Sequence, residues 1–202
     1  MKQPLQARSA ASLERLLSAT ERLVRERGFE RTSLSMICTE AGLTSGAFYA
    51  RFDRKEDLAM ALWERMEPGT GGAVDQFEEI LKNGSLEQAV HALMLEVIGI
   101  YERDGVLIRE FVSVARQHSD LARAMRLSNE RVLQNLIDVI RRSKARITHP
   151  APDLALRLGL VCVFNTLREL VLDRTIFEHS GSLQPEVLAT EMKRLLMSYL
   201  RS

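Results

Sequence analysis

Thr44-Ser45-Gly46-Ala47 is the stretch of this chain best suited to meet a polyanion. It follows Glu40-Ala41-Gly42-Leu43, in which Gly42 can take the left-handed backbone of a tight turn. Thr44 or Ser45 then offers a cap for a new helix carrying Ala47, Phe48 and Phe52. Small and hydroxyl-bearing residues at a helix start let the backbone come close to a partner. The first amides of that helix lack intrahelical acceptors and favour phosphate oxygens. Two short helices joined this way form a helix-turn-helix, whose second helix enters a DNA major groove by its N-terminus. The chemistry offered is recognition rather than bond-making. His91, His118, His149 and His179 form no H-E-x-x-H or Cys/His metal spacing, and Gly69-Thr70-Gly71-Gly72 lacks the lysine of a phosphate-binding loop. No G-x-S-x-G elbow or dinucleotide fingerprint occurs. No enzyme, metal or cofactor is expected; an all-helical enzyme remains the alternative of another class.

The elements that must hold this stretch read as helices almost throughout. Leu13, Leu16, Leu17, Leu23 and Val24 share one helical face, ended by Gly28. Leu34, Ile37, Cys38 and Ala41 share the face of a short second helix after Ser33, and the third follows Thr44. Asp53 with Glu56 suggests a capped start for a fourth, running through Leu58, Ala61, Leu62 and Trp63 to Met66. Pro68-Gly69-Thr70-Gly71-Gly72 is the strongest breaker, ending or kinking that helix before Phe77, Ile80 and Leu81. Beyond the turn at Asn83-Gly84-Ser85 about five more helices are expected: Leu86 to Arg103, Val106 to Val114, Asp120 to Ser143, Asp153 to Phe177 and Pro185 to Leu200. The fold class is therefore all-α, with about nine helices. The domains expected are 1–65, a helix-turn-helix unit of three helices, and 66–202, a larger helical unit.

The N-terminal string resembles the tetracycline-repressor (TetR/AcrR) family of bacterial transcription regulators. The resemblance rests on Arg27-Gly28-Phe29, Thr32-Ser33, Ile37, Ala41-Gly42-Leu43-Thr44-Ser45-Gly46-Ala47-Phe48-Tyr49 and Phe52-x-x-Lys55-Glu56-x-Leu58, in order and spacing across roughly residues 8 to 63. It implies a regulator that binds a palindromic operator in double-stranded DNA as a homodimer and is released by a small molecule. It also implies roles. Thr32, Ser33 and Thr44 would contact phosphate; Ser45, Gly46 and Ala47 would face the bases; Tyr49 would place its hydroxyl on a phosphate. Lys55 would clamp the backbone. Arg51, where many members have histidine, would add a phosphate or guanine contact or stand as a solvated charge. Ala50 stands where many members have a second aromatic.

The same resemblance makes residues 66–202 an effector-binding and dimerisation domain. The dimer interface would use Leu158, Val161 and Cys162 of one helix, with Leu188, Met192, Leu195, Leu196 and Tyr199 of the last, and Gly159 would permit a close helix approach. An apolar or amphipathic effector would sit among Trp63, Met66, Phe77, Met94, Ile98, Tyr101, Phe111 and Met125, oriented by polar groups such as Asn129 and Arg168. His91, Glu96, Glu110, His118 and Asn165 are further polar candidates, read for the most part as solvated or paired side chains.

Composition bounds these readings. The 202 residues carry 28 Lys/Arg and 27 Asp/Glu, a net charge of +1. That balance hides two unlike parts: residues 1–55 hold ten basic and six acidic residues, the rest eighteen and twenty-one. Tight DNA binding should then depend on placed contacts more than on bulk charge. No apolar run approaches a membrane span, and no leader is read at the N-terminus, so the expected location is cytoplasmic. Cys38 and Cys162 are expected as buried, reduced thiols. A thiol-responsive regulator using either is the alternative within the same class.

Overall fold

The computed structural model describes residues 5–172 and 184–202. Among them there are nine helices and no strand: α1 Leu5–Arg27, α2 Leu34–Ala41, α3 Ser45–Tyr49, α4 Glu56–Met66, α5 Pro68–Asn83, α6 Leu86–Ala115, α7 Ser119–Arg142, α8 Pro152–Leu172 and α9 Pro185–Leu200. They sort into two compact units. Of the described residues, the first joins 5–66 with 106–125, and the second joins 67–105 with 126–172 and 184–202.

The core of the first unit is assembled from helical faces already visible as sequence periodicities. Leu16, Leu17, Leu23 and Val24 of α1 pack with Ile37, Cys38 and Ala41 of α2, Phe48 of α3, and Leu58 and Leu62 of α4. Leu107, Phe111 and Leu121 complete the cluster. Phe52 packs against it from the side, its ring centroid 5.4 Å from that of Phe48. Thr20 is buried within α1 because its hydroxyl donates back to the Leu16 carbonyl at 2.7 Å.

In the second unit, Phe77, Leu93, Met94, Ile98, Leu136, Leu156, Leu160, Leu188 and Leu196 are among the buried side chains. Gly159 lets α8 and α9 approach closely: a Cβ there would lie 2.6 Å from Leu196 Cδ1. The segment between α7 and α8 is latched to the end of α9, with the Thr148 and His149 amides both donating to the Leu200 carbonyl.

Two expected boundaries differ. Leu86 to Arg103 and Val106 to Val114 are one helix, α6, of 30 residues. A glycine inside a helix costs about 1 kcal/mol relative to alanine. Burying Ile98, Leu107 and Phe111 gains about 1.5–3 kcal/mol each, so Gly105 does not break the helix. The Pro68–Gly72 stretch does end α4, yet it is itself the start of α5. Proline is tolerated there because the first helical amide has no intrahelical acceptor to lose. Of the helix expected over Asp153 to Phe177, residues 173–177 lie outside the described residues; α8 is described to Leu172. Among the described residues, no helix is long and apolar enough to cross a membrane.

Candidate nucleic-acid interface

Three local devices set the ends of α2 and the start of α3. Ser33 caps α2, its hydroxyl accepting from the Met36 amide at 3.2 Å. Gly42 closes α2 with φ 62° and ψ 40°, the left-handed region. Its missing Cβ would meet only Arg15 Nη1 at 3.8 Å, so backbone conformation rather than space requires glycine. Thr44 then caps α3, accepting from the Ala47 amide at 3.2 Å. Each hydroxyl cap is worth about 1 kcal/mol. Between the two helices, the Leu43 amide donates to the Cys38 carbonyl at 2.9 Å.

The side chains divide sharply about α3. Phe48 is fully buried and anchors the helix to the core. Thr44, Ser45, Gly46 and Tyr49 are exposed, and Ala47 is half-buried. Tyr49 is 59% exposed and stands edge-on to Phe48, with centroids 5.1 Å apart. A Cβ on Gly46 would meet nothing nearer than Thr44 Oγ1 at 3.8 Å, so no internal packing asks for its small size. The outer edge of α3 is thus small, hydroxylated and free of apolar bulk apart from one ring whose hydroxyl is available.

Three of the expected contact residues are engaged inside the unit. Thr32 is buried, and its hydroxyl donates to the Gly28 carbonyl at 2.8 Å. Lys55 turns inward: its ammonium donates to the Phe29 carbonyl at 2.9 Å and the Thr32 carbonyl at 3.0 Å, and lies 4.4 Å from the Phe29 ring centroid. Arg51 donates to the Ala47 carbonyl at 3.1 Å and to the Ser9 carbonyl and hydroxyl at 3.1 and 2.9 Å. In this conformation these groups brace the reader: Lys55 closes the α1–α2 loop, and Arg51 ties the end of α3 to the start of α1. Ser33, like the α3 edge, is exposed.

Glu110 of α6 reaches the same loop. Its carboxylate accepts from the Phe29 amide at 2.8 Å, and Gly28, with φ 81°, leaves room for it. A carboxylate 81 residues away in the chain carries no local signal that it caps this turn. Read from sequence as one of several paired or ligand-orienting groups, it is paired.

The cysteines separate. Cys38 is buried at the α2–α3 junction. Burial pushes its thiol pKa up, opposed in part by a hydrogen bond with the Ser45 side chain. That is the opposite of the lowered pKa a reactive thiolate needs. Cys162, expected buried, is exposed. Its face of α8 also bears Leu154, Leu158 and Val161, which leave their side chains at the surface of this single chain.

On α9, Leu195 is exposed, whereas Leu188, Met192 and Leu196 are buried in the second unit and Tyr199 packs partly against them. The proposed interface residues therefore fall into an outward set, Leu158, Val161, Cys162 and Leu195, and an inward set behind it.

The effector candidates divide between the two units. Trp63, Met66, Phe111 and Met125 pack with the first unit; Phe77, Met94, Ile98 and Tyr101 pack with the second. Trp63 stands edge-on to Phe111, and its indole N–H is buried without a partner among the described residues. Burial raises the Tyr101 pKa, and the nearby charge of Arg168 opposes the rise. Arg168 itself pairs with Glu169 at 3.0 Å. Asn129 is exposed. The Asn165 amide donates to the Val161 carbonyl at 2.9 Å, and His91 meets Glu186 at 3.3 Å. Among the described residues, no group of His, Cys, Asp and Glu is arranged to hold a metal ion.

Residues 16–62 match the family model of bacterial regulatory proteins, tetR family. Solved structures extend the likeness of fold over nearly the whole chain. A protein of Mesorhizobium loti, provisionally a tetR-family transcriptional regulator, superposes with a TM-score of 0.70 at 21% identity, covering 96% of each chain. SmeT, the repressor of the Stenotrophomonas maltophilia multidrug efflux pump SmeDEF, gives a TM-score of 0.61 at 21% identity, covering 90% of this chain and 87% of SmeT. FadR of Bacillus subtilis, solved in complex with stearoyl-CoA, gives 0.62 at 17% identity, covering 93% and 99%.

Proposed function

From the match of residues 16–62 to the tetR family of bacterial regulatory proteins, we propose that the chain is a cytoplasmic transcriptional repressor released from DNA by a small molecule. Two copies form a homodimer, and each sets α3 into a major groove of a palindromic operator. Half-sites lie about 34–36 Å apart, one helical turn. The observation that carries this reading is the capped, exposed edge of α3 on a buried Phe48 anchor. Ser45, Gly46 and Ala47 face the bases; Ser33, Thr44 and Tyr49 contact phosphate and set the register. Arg51, Lys55 and Thr32 act from behind, holding α1 and the α1–α2 loop against the reader. Nothing in this reading calls for a catalytic residue.

The reader would belong to residues 1–65, and effector binding and dimerisation to 66–202. Leu158, Val161, Cys162 and Leu195 would meet their counterparts on the second copy, backed by Leu188, Met192, Leu196 and Tyr199. An apolar or amphipathic effector would enter among Phe77, Met94, Ile98 and Tyr101, where Arg168 supplies a charge. The stearoyl-CoA held by FadR supports the idea that this fold accepts such a ligand. Release follows as a population shift: a ligand preferring the geometry that misfits DNA needs only a few kcal/mol of differential affinity. The test is a gel-shift selection with genomic fragments at low salt, followed by a ligand screen for release. Retention of a fragment with a palindromic core is expected. Absence of any retained fragment at low salt overturns the reading.

A further inference from the structure

The second unit contains a cleft of about 520 Å³ between the α5–α6 turn, the segment following α7 and the residue after α9. No residue expected to contact DNA, effector or partner borders it. Its apolar lining includes Leu81, Leu86 and Ala145, the first two buried. Its charged residues are Lys144, Arg146 and Arg201 against a single acid, Glu87. Glu87 is already paired with Arg201. Lys144 and Arg146 have no acidic partner among the described residues, so the cleft keeps two uncompensated positive charges.

Further donors face the same space. The first turn of α6 leaves the Leu86 and Glu87 amides without intrahelical acceptors. Ser85 accepts from the Gln88 amide at 3.2 Å, which leaves its own hydroxyl proton to donate. The wall is held in place independently of any ligand. The Thr148 and His149 amides donate to the Leu200 carbonyl at 3.1 and 3.2 Å, and the Thr148 hydroxyl donates to the Arg201 carbonyl at 3.0 Å. An apolar lining beneath unpaired cations matches a molecule with an anionic head on a short apolar body.

We propose that this cleft is a binding site for a small amphipathic anion, a carboxylate or phosphate ester. The head is held by Lys144 and Arg146 of the segment after α7, beside the first turn of α6, and the body lies on Leu81, Leu86 and Ala145. The site stands apart from the repressor reading and survives its failure. Calorimetry on the full chain tests it with four probes: hexyl phosphate, hexanoate, inorganic phosphate and hexanol. Both amphipathic anions bind, hexanol does not, and inorganic phosphate binds more weakly than hexyl phosphate. Lys144→Ala combined with Arg146→Ala weakens hexyl phosphate at least about tenfold. Both side chains are exposed, so the variant keeps its thermal unfolding profile. Three results overturn the proposal: no binding of either amphipathic anion at millimolar concentration, affinity unchanged in the double variant, or inorganic phosphate binding as tightly as hexyl phosphate.

Discussion

The outer edge of α3 and the outer face of α8–α9 are both surfaces without a partner in the single chain, and they are chemically opposite. Around α3 the exposed groups are hydroxyls, a glycine and one tyrosine ring. Along α8 they are Leu154, at 60% exposure, with Leu158 and Val161, and α9 adds Leu195 at 58%. Scattered single apolar residues at a surface mean little, but three large ones at helical spacing along α8, with a fourth on α9, form a patch with a purpose. The first surface can lose water to a hydrogen-bonding polymer and regain it without penalty. The second gains only when another apolar face covers it. The contrast separates recognition that must be reversible and specific from association that should be lasting.

Breaking the apolar face should have the largest effect. Leu158→Glu with Leu195→Glu should convert the dimer to a monomer in sedimentation while leaving helicity intact. Operator affinity should then fall about a thousandfold, about 4 kcal/mol. The same variant should make Cys162 react faster with a thiol reagent than in the parent protein, because the cover over its face is gone. Equal rates would count against that face being the interface. Next in size, Phe48→Ala removes the anchor of α3 and should cost about 3–5 kcal/mol in denaturant unfolding. DNA binding should be lost with it.

Thr44→Ala should cost about 1 kcal/mol of stability through the lost cap and should weaken DNA binding in addition. Tyr49→Phe sharpens the comparison most finely. Its ring contacts stay, so stability should not change, while operator binding should weaken by about 1 kcal/mol with an unchanged salt dependence, since a neutral hydroxyl releases no counterion. The smallest effect is in pH. Burial raises the Cys38 pKa above its ordinary value of 9.0, so the unfolded chain gives up that proton first. Its stabilising effect is complete below pH 9 and is lost as pH rises beyond it. Tyr101, also raised, acts in the same direction above its ordinary value of 10.0. Alkaline melting curves of Cys38→Ser should fall less steeply than those of the parent.

How much of this was legible in the sequence follows from the range of the interactions. Gly42, the Ser33 and Thr44 caps and the buried stripe through Phe48 are local in the chain, and periodicity with turn chemistry finds them. The internal bonds of Thr32 and Lys55 are not legible, because their partners are carbonyls of the α1–α2 loop, and carbonyls have no letter in a sequence. Glu110 was legible only as a paired charge, since its partner is a backbone amide 81 residues away. The continuity of α6 was hidden by Gly105, whose local propensity is outweighed by buried neighbours. Cys162 was expected inside because apolar pattern reports a buried face without saying whether the chain itself or a second copy buries it.

The 30-residue span of α6 has a last consequence, for how such a protein can be taken apart. Its later turns give Leu107, Phe111 and Val114 to the core of the first unit, while its earlier turns give Leu93, Met94 and Ile98 to the second. A piece of the chain ending at Met66 would carry the whole helix-turn-helix and still lack part of what Leu16, Phe29 and Leu58 pack against. The two units are therefore not modules that could be exchanged by a single crossover at residue 66. Recombination that swapped readers between relatives would have to carry the middle of α6 along, or repair a core cut in half.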